Sequence, residues 1–199
     1  MDMPKRDESY MAQQREKILV AALHEFSEHG LQRASMRAIA KRVDLNVATL
    51  YLHFKNKDAI TRGIFERRGD AYPTFKTATF TEMRAIIHTE WSKPVDTNFR
   101  LEGRFTTHVG SEALTNRHAK KTVDEMNALT LQLFENGVER DPMFRHLSKA
   151  RRNRLARHLA YWWQALSDRR TIELGKTNEH LLNDLDTGFD LFIADALRK

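Results

Sequence analysis

Apolar residues return every three to four positions along most of this chain, and nowhere do they alternate with polar ones for the length of a strand. That rhythm predicts an all-α protein. The first periodic stretch, from about Ser9 to His29, carries Ile18, Leu19, Ala21, Ala22, Leu23 and Phe26 as one broad stripe, with Gly30 as a natural stop. Two much shorter segments follow. Ser35 can cap a helix whose Ile39, Ala40 and Val43 face inward, and Asp44 falls where a left-handed residue would turn the chain. Asn46 can then cap a second helix of about two turns with Leu50 inward. A fourth helix opens at Lys57-Asp58, with Ala59, Ile60, Ile64 and Phe65 as its apolar contacts, and Pro73 breaks it. Beyond Thr79 the pattern predicts helices over 79–92, 98–110, 118–139, 143–168 and 178–197, punctuated by Pro94, Pro142 and the segment from Asp168 to Asn178.

Helices as short as the second and third bury too little to stand alone, so the first helix is expected to brace them. A braced pair joined by a tight turn is the geometry that carries a second helix into a DNA major groove. Charge placement strengthens this reading. The chain of 199 residues has a net charge of +6, and six cations between Arg33 and Lys57 face Asp44 alone. Such a patch attracts a polyanion and lets phosphate contacts set its register. The expected division is a helix-turn-helix part over 1–56 and a larger helical part over 57–199, with 57–72 as the connecting helix.

Several classes recede. No apolar run approaches a membrane span, and the N-terminus has neither the apolar stretch nor the cleavage site of a secretory signal. The absence of cysteine removes disulfides and thiolate nucleophiles and fits a reducing cytoplasm, the expected location. No HExxH, GxSxG, Walker A loop or Rossmann glycine pattern occurs, so neither an enzyme nor a resident cofactor or metal is expected. Two alternatives stay open: an enzyme whose site is assembled from distant residues, and a helical small-molecule-binding protein without operator binding.

Residues 15–60, REKILVAALHEFSEHGLQRASMRAIAKRVDLNVATLYLHFKNKDAI, resemble the TetR family of bacterial transcriptional repressors, most specifically in TLYLHFKNKDAI behind the IAKRVDLN turn. The resemblance implies an all-helical homodimer, with a small N-terminal DNA-binding domain and a larger C-terminal effector-binding and dimerisation domain. It further implies a repressor that holds a palindromic operator and is released by a small molecule. Two departures bear on operator sequence: Asp44 stands where the family most often has glycine, and Ala48 replaces a common glycine or proline.

Entry of the third helix N-terminus first would bring Asn46, Val47 and Ala48 nearest the base edges. Asn46 has a competing role as cap, and Val47 and Ala48 can only pack on thymine methyls. Arg37 suits either a bidentate guanine contact or a phosphate. Thr49, Tyr51 and His53 offer a hydroxyl, a phenol and an imidazole, and Lys57 sits at a helix start. The resemblance implies backbone contacts at these four positions. Tyr51 and His53 also suit the edge of the small core, and Ser35 can cap, bind phosphate or do both.

In the larger part, the expected effector is a small apolar or amphipathic molecule. Trp91, Phe105, Met126, Phe134 and Trp163 are candidates to line its cavity, with His108 as a polar contact, although ordinary core packing explains each of them as well. Leu155, Leu159, Trp162 and Leu166 form one stripe, and Leu181, Leu185, Phe189 and Phe192 another. Both are expected at a four-helix dimer interface. Trp162 and Trp163 are adjacent and so point about 100° apart, one toward the partner and one inward.

Overall fold

The computed structural model describes residues 5–70, 73–93, 97–172 and 179–198. Among them the regular structure is helical: α1 (Lys5–Arg33), α2 (Met36–Arg42), α3 (Val47–His53), α4 (Lys57–Asp70), α5 (Phe80–Trp91), α6 (Thr97–Ala113), α7 (Arg117–Arg140), α8 (Lys149–Ile172) and α9 (Glu179–Leu197), with short 3₁₀ turns at Pro73–Lys76 and Pro142–Phe144.

Boundaries differ from expectation where local chemistry intervenes. α1 starts a turn before Ser9, because nothing from Lys5 to Ser9 breaks a helix. It is interrupted at Gly30, whose φ of 74° and ψ of 164° are strained for any residue with a Cβ, and a single turn then reaches Arg33. α8 starts at Lys149 instead of 143, because Pro142–Phe144 is taken up by a 3₁₀ turn capped by Asp141. α8 also runs through Asp168 to Ile172, so the expected break there is delayed; the rest of that segment, 173–178, and Pro94 lie outside the described residues.

The chain forms two compact units. One comprises Met1–Asp70 with Leu101–Val123, the other Ala71–Arg100 with Asp124–Lys199. The expected division at 56/57 is therefore displaced. α4 packs on α1 through Ile60 and Ile64, both buried in the first unit's core, and α6 contributes Phe105 and Val109 to it. In the second unit, the Phe80 ring meets those of Phe144, Phe134 and Phe189 at centroid distances of 6.2, 6.3 and 5.3 Å. There Asp141, buried, accepts hydrogen bonds from the Thr81 amide (2.9 Å), the Thr81 hydroxyl (2.7 Å) and the Met143 amide (3.0 Å). One carboxylate thus satisfies the starts of two helical segments.

α8 lies along α9. Six of the eight residues expected at the dimer contact, Leu155, Leu159, Leu166, Leu181, Leu185 and Phe189, are buried inside this single chain. They cannot serve as an intersubunit surface while the unit is folded. Both stripes belong to the second unit's own core. Trp162 and Phe192 remain half-buried, with Tyr161 and Leu191 exposed beside them.

Candidate nucleic-acid interface

The short helix pair is built by its caps. The Ser35 hydroxyl accepts from the Ala38 amide at 3.1 Å and starts α2, whose Met36, Ile39 and Ala40 turn into the core. Asp44 takes the left-handed conformation, φ 53°, while the Leu45 amide reaches back to the Ala40 carbonyl at 3.0 Å. Asn46 then starts α3, its side-chain oxygen accepting from the Thr49 amide at 2.7 Å. Leu50 is fully buried, and Phe54, 2% exposed, closes the helix.

Two arginines brace the pair. The Arg15 guanidinium lies 4.1 Å above the Phe54 ring and donates to the His53 carbonyl at 3.2 Å, fixing the end of α3 to α1. Arg42, at the end of α2, pairs with Glu25 at 2.8 Å and with Glu28. Its hydrogen bond to Glu28, then that to Glu25, raises the Arg42 pKa; the same bond from Arg42 holds Glu28 below the usual carboxylate range. Pattern reading missed both braces. Glu25 at its inward position on α1 was the available signal, because a buried carboxylate requires a cation.

The nine residues expected to meet DNA are not equivalent. Ser35, Arg37, Asn46, Ala48 and Tyr51 are exposed, whereas Val47, Thr49, His53 and Lys57 are half-buried. Val47 packs against the small core. Asn46 is occupied as the cap. Lys57 donates to the carbonyls of Leu31 (2.5 Å) and Ala34 (2.9 Å), so its ammonium seals the end of α1. Of the six cations counted in this stretch, Arg42 and Lys57 are thereby engaged internally, and Arg33, Arg37, Lys41 and Lys55 stand exposed. Leu52, 78% exposed on α3, is not among the nine.

The six candidate effector contacts divide. Trp91 and Phe134 belong to the second unit's core, where Trp163 packs on Phe134 with ring centroids 6.0 Å apart. Met126 is half-buried. Phe105 sits instead in the first unit, stacked on Phe26 at 5.9 Å and tilted against Phe65 at 5.0 Å. His108, exposed one turn further along α6, lies where a Cβ on Gly30 would come within 3.5 Å of it. The periodic pattern of α6 could not reveal which core Phe105 joined. A cleft of about 650 Å³ lies on α1 and α2, formed by residues such as Glu16, Lys17, His24 and Arg42, and none of the six lines it. The adjacent tryptophans do diverge: Trp163 turns inward, while the Trp162 indole donates to the Asp184 carbonyl at 3.1 Å across the α8–α9 seam.

A helix pair capped at both starts, braced by a long first helix and carrying exposed cations has the arrangement of a helix-turn-helix. The chain matches, over residues 18–64, the sequence profile described as "Bacterial regulatory proteins, tetR family". It is similar to the HTH-type transcriptional repressor Rv1474c of Mycobacterium tuberculosis, 33% identical over 58 residues, 29% of this chain and 31% of that protein. It is also similar to the HTH-type transcriptional regulator UidR of Escherichia coli, 46% identical over 50 residues, 25% of this chain and 26% of that protein. These matches span less than a third of either curated relative. The fold is similar over 90% of this chain to that of Salmonella enterica GusR, with a TM-score of 0.67, 17% identity, and 93% of that chain covered. A transcriptional regulator from Rhodococcus sp. Rha1 gives a TM-score of 0.64 at 16% identity, covering 91% of this chain and 96% of that one. Among the described residues no helix is long and apolar enough to cross a membrane.

Proposed function

We propose that the chain is a sequence-specific DNA-binding transcriptional regulator, a repressor that holds an inverted-repeat operator as a homodimer and is released by a small apolar or amphipathic effector. The observation that carries this reading is the outward side of α3. Leu50 is fully buried on one side of the helix, Ala48, Tyr51 and Leu52 are exposed on the other, and Arg37, Lys41 and Lys55 stand exposed nearby in sequence. α3 presents its outward side to the base edges, Arg37 meets guanine or phosphate, and Ser35, Thr49, Tyr51 and His53 serve the backbone. Asn46 acts first as the cap. Lys57 supports the interface from inside by holding the end of α1.

The DNA-reading part extends through α4, since α4 supplies one wall of the same small core. Dimerisation is assigned to the outer side of α8 and α9, at Tyr161, Trp162, Leu191 and Phe192, in place of the buried stripes. The effector is assigned to the second unit near Trp91, Phe134 and Trp163, where the buried Trp163 indole nitrogen has no hydrogen-bond partner among the described residues. An effector releases DNA only as far as it favours the non-binding conformation; tight binding alone does nothing.

The test is selection of genomic DNA fragments by the full-length chain at low salt, with light scattering of the same sample. The expected result is a dimer that enriches an inverted repeat with half-site centres about 34–36 Å apart or a multiple of that spacing. A folded chain that enriches nothing would favour the helical binding protein without an operator.

A further inference from the structure

We propose that α3 reads its half-site chiefly through thymine methyl groups, and that Leu52 is a principal determinant of that readout. The inference rests on the DNA-binding reading and goes beyond it by naming the chemical feature recognised.

At about 100° per residue, Ala48 and Leu52 lie one turn apart on the same side of α3, with Tyr51 beside them and Leu50 on the opposite side. The burial follows that wheel: Leu50 is fully buried, Tyr51 is 51% exposed and Leu52 is 78% exposed. Thr49 and His53 fall together on one flank and Val47 on the other, all three half-buried. The centre of the outward side therefore has no charge, and its one hydrogen-bonding group is the Tyr51 phenol at the tip of an otherwise apolar ring. Asn46, the polar residue nearest the leading end, already spends its side-chain oxygen on the Thr49 amide.

A single exposed leucine is unremarkable on a protein surface. Here it is paired with Ala48 on a helix of seven residues, flanked in sequence by the exposed cations Arg37, Lys41 and Lys55. Those cations favour a polyanion, and the apolar centre then has to meet base edges. In the major groove each base pair offers polar atoms, except for the thymine C5-methyl, the one apolar group. An alanine and a leucine side chain at adjacent turns can bury that methyl and can form no hydrogen bond with guanine, cytosine or adenine. The arrangement selects thymine by burial and disfavours G·C pairs by leaving their polar edges unpartnered.

The experiment uses the full-length chain and a DNA sequence that it enriches. Each thymine is replaced in turn by deoxyuridine, symmetrically in both half-sites, which removes one methyl and leaves every hydrogen-bonding atom in place. Affinity is measured for the wild type and for Leu52→Ala, a substitution at an exposed position. The wild type should lose about fourfold per methyl per half-site, about fifteenfold for the symmetric pair, at one or two thymines. Leu52→Ala should bind the all-thymine DNA more weakly and be indifferent to deoxyuridine at one of those positions. If no thymine methyl affects wild-type affinity, or if Leu52→Ala keeps the same sensitivity, the proposal is overturned while DNA binding stands. If no sequence is enriched at all, both fall.

Discussion

The two units use their hydrophobic side chains differently. In the first, seven-residue helices leave part of their surface uncovered: α3 buries Leu50 and exposes Leu52 and Tyr51. In the second, long helices cover one another, so that the stripes on α8 and α9 are consumed within the chain. An apolar stripe states that something must cover it, without stating what. On a short, capped and braced helix the uncovered side can be available to a partner; on two long helices the stripes are covered by the rest of the same unit's core. This contrast separates a surface held out for recognition from a core that looks like one.

The largest expected effect concerns Phe105, which pattern reading placed at an effector cavity and which lies between Phe26 and Phe65. Phe105→Ala should destabilise the chain by about 3–5 kcal/mol, seen as a lowered urea midpoint. A loss below about 1 kcal/mol would take Phe105 out of the core again. Next is the α8–α9 seam. A Cβ at Gly188 would stand 2.0 Å from the Trp162 indole nitrogen, so the ring must move and leave the Asp184 carbonyl. Gly188→Ala should cost about 1–3 kcal/mol and shift tryptophan emission; unchanged emission and stability would mean that the two helices do not approach so closely.

Smaller effects sharpen the same contrast. Asn46→Ala removes a cap and should cost about 1 kcal/mol, whereas Asn46→Asp keeps the acceptor and sets a negative charge at the leading end of α3. Thermal melting should therefore spare Asn46→Asp while DNA affinity falls; equal melting losses for both would deny the cap. The smallest effect is on the second unit's surface. Arg84 donates to Asp190 at 2.5 Å and to Asp186 at 2.8 Å, and the bond from Arg84 holds the Asp190 carboxyl below its ordinary range. A depressed folded pKa contributes stability above the unfolded value, about 4, that is lost as pH falls through the folded value. With Asp190 65% exposed, Asp190→Asn should cost less than about 1 kcal/mol at pH 7 and nothing near pH 2, read from urea midpoints at both.

What could be read from the residues themselves follows the range of the forces. Ser35, Asp44 and Asn46 act on backbone groups within a few positions, and their roles were visible in the order of residues alone. Gly30 was visible for the same reason. Long charged side chains choose partners across the fold, so the engagement of Arg42 by Glu25 and Glu28, and of Lys57 by the α1 carbonyls, was hidden. Periodicity marked Leu155 as part of an apolar stripe and composition marked Phe105 as a cavity or core residue, without showing what covers either of them. Leu52 was legible in principle, lying opposite Leu50 on the wheel, but an entry of α3 N-terminus first pointed to Asn46, Val47 and Ala48 instead.

One comparison tests the outward side of α3 most directly. Full-length chain and the triple variant Arg37→Ala, Tyr51→Ala, Leu52→Ala are titrated onto a selected DNA by fluorescence anisotropy across a range of salt. All three side chains are exposed, so both proteins should share one circular dichroism spectrum and melting curve. The predicted result is a loss of specific binding in the variant, with a shallower salt dependence from the missing cation. Equal affinity and equal salt slope for the two proteins would place the DNA on another surface and contradict the account.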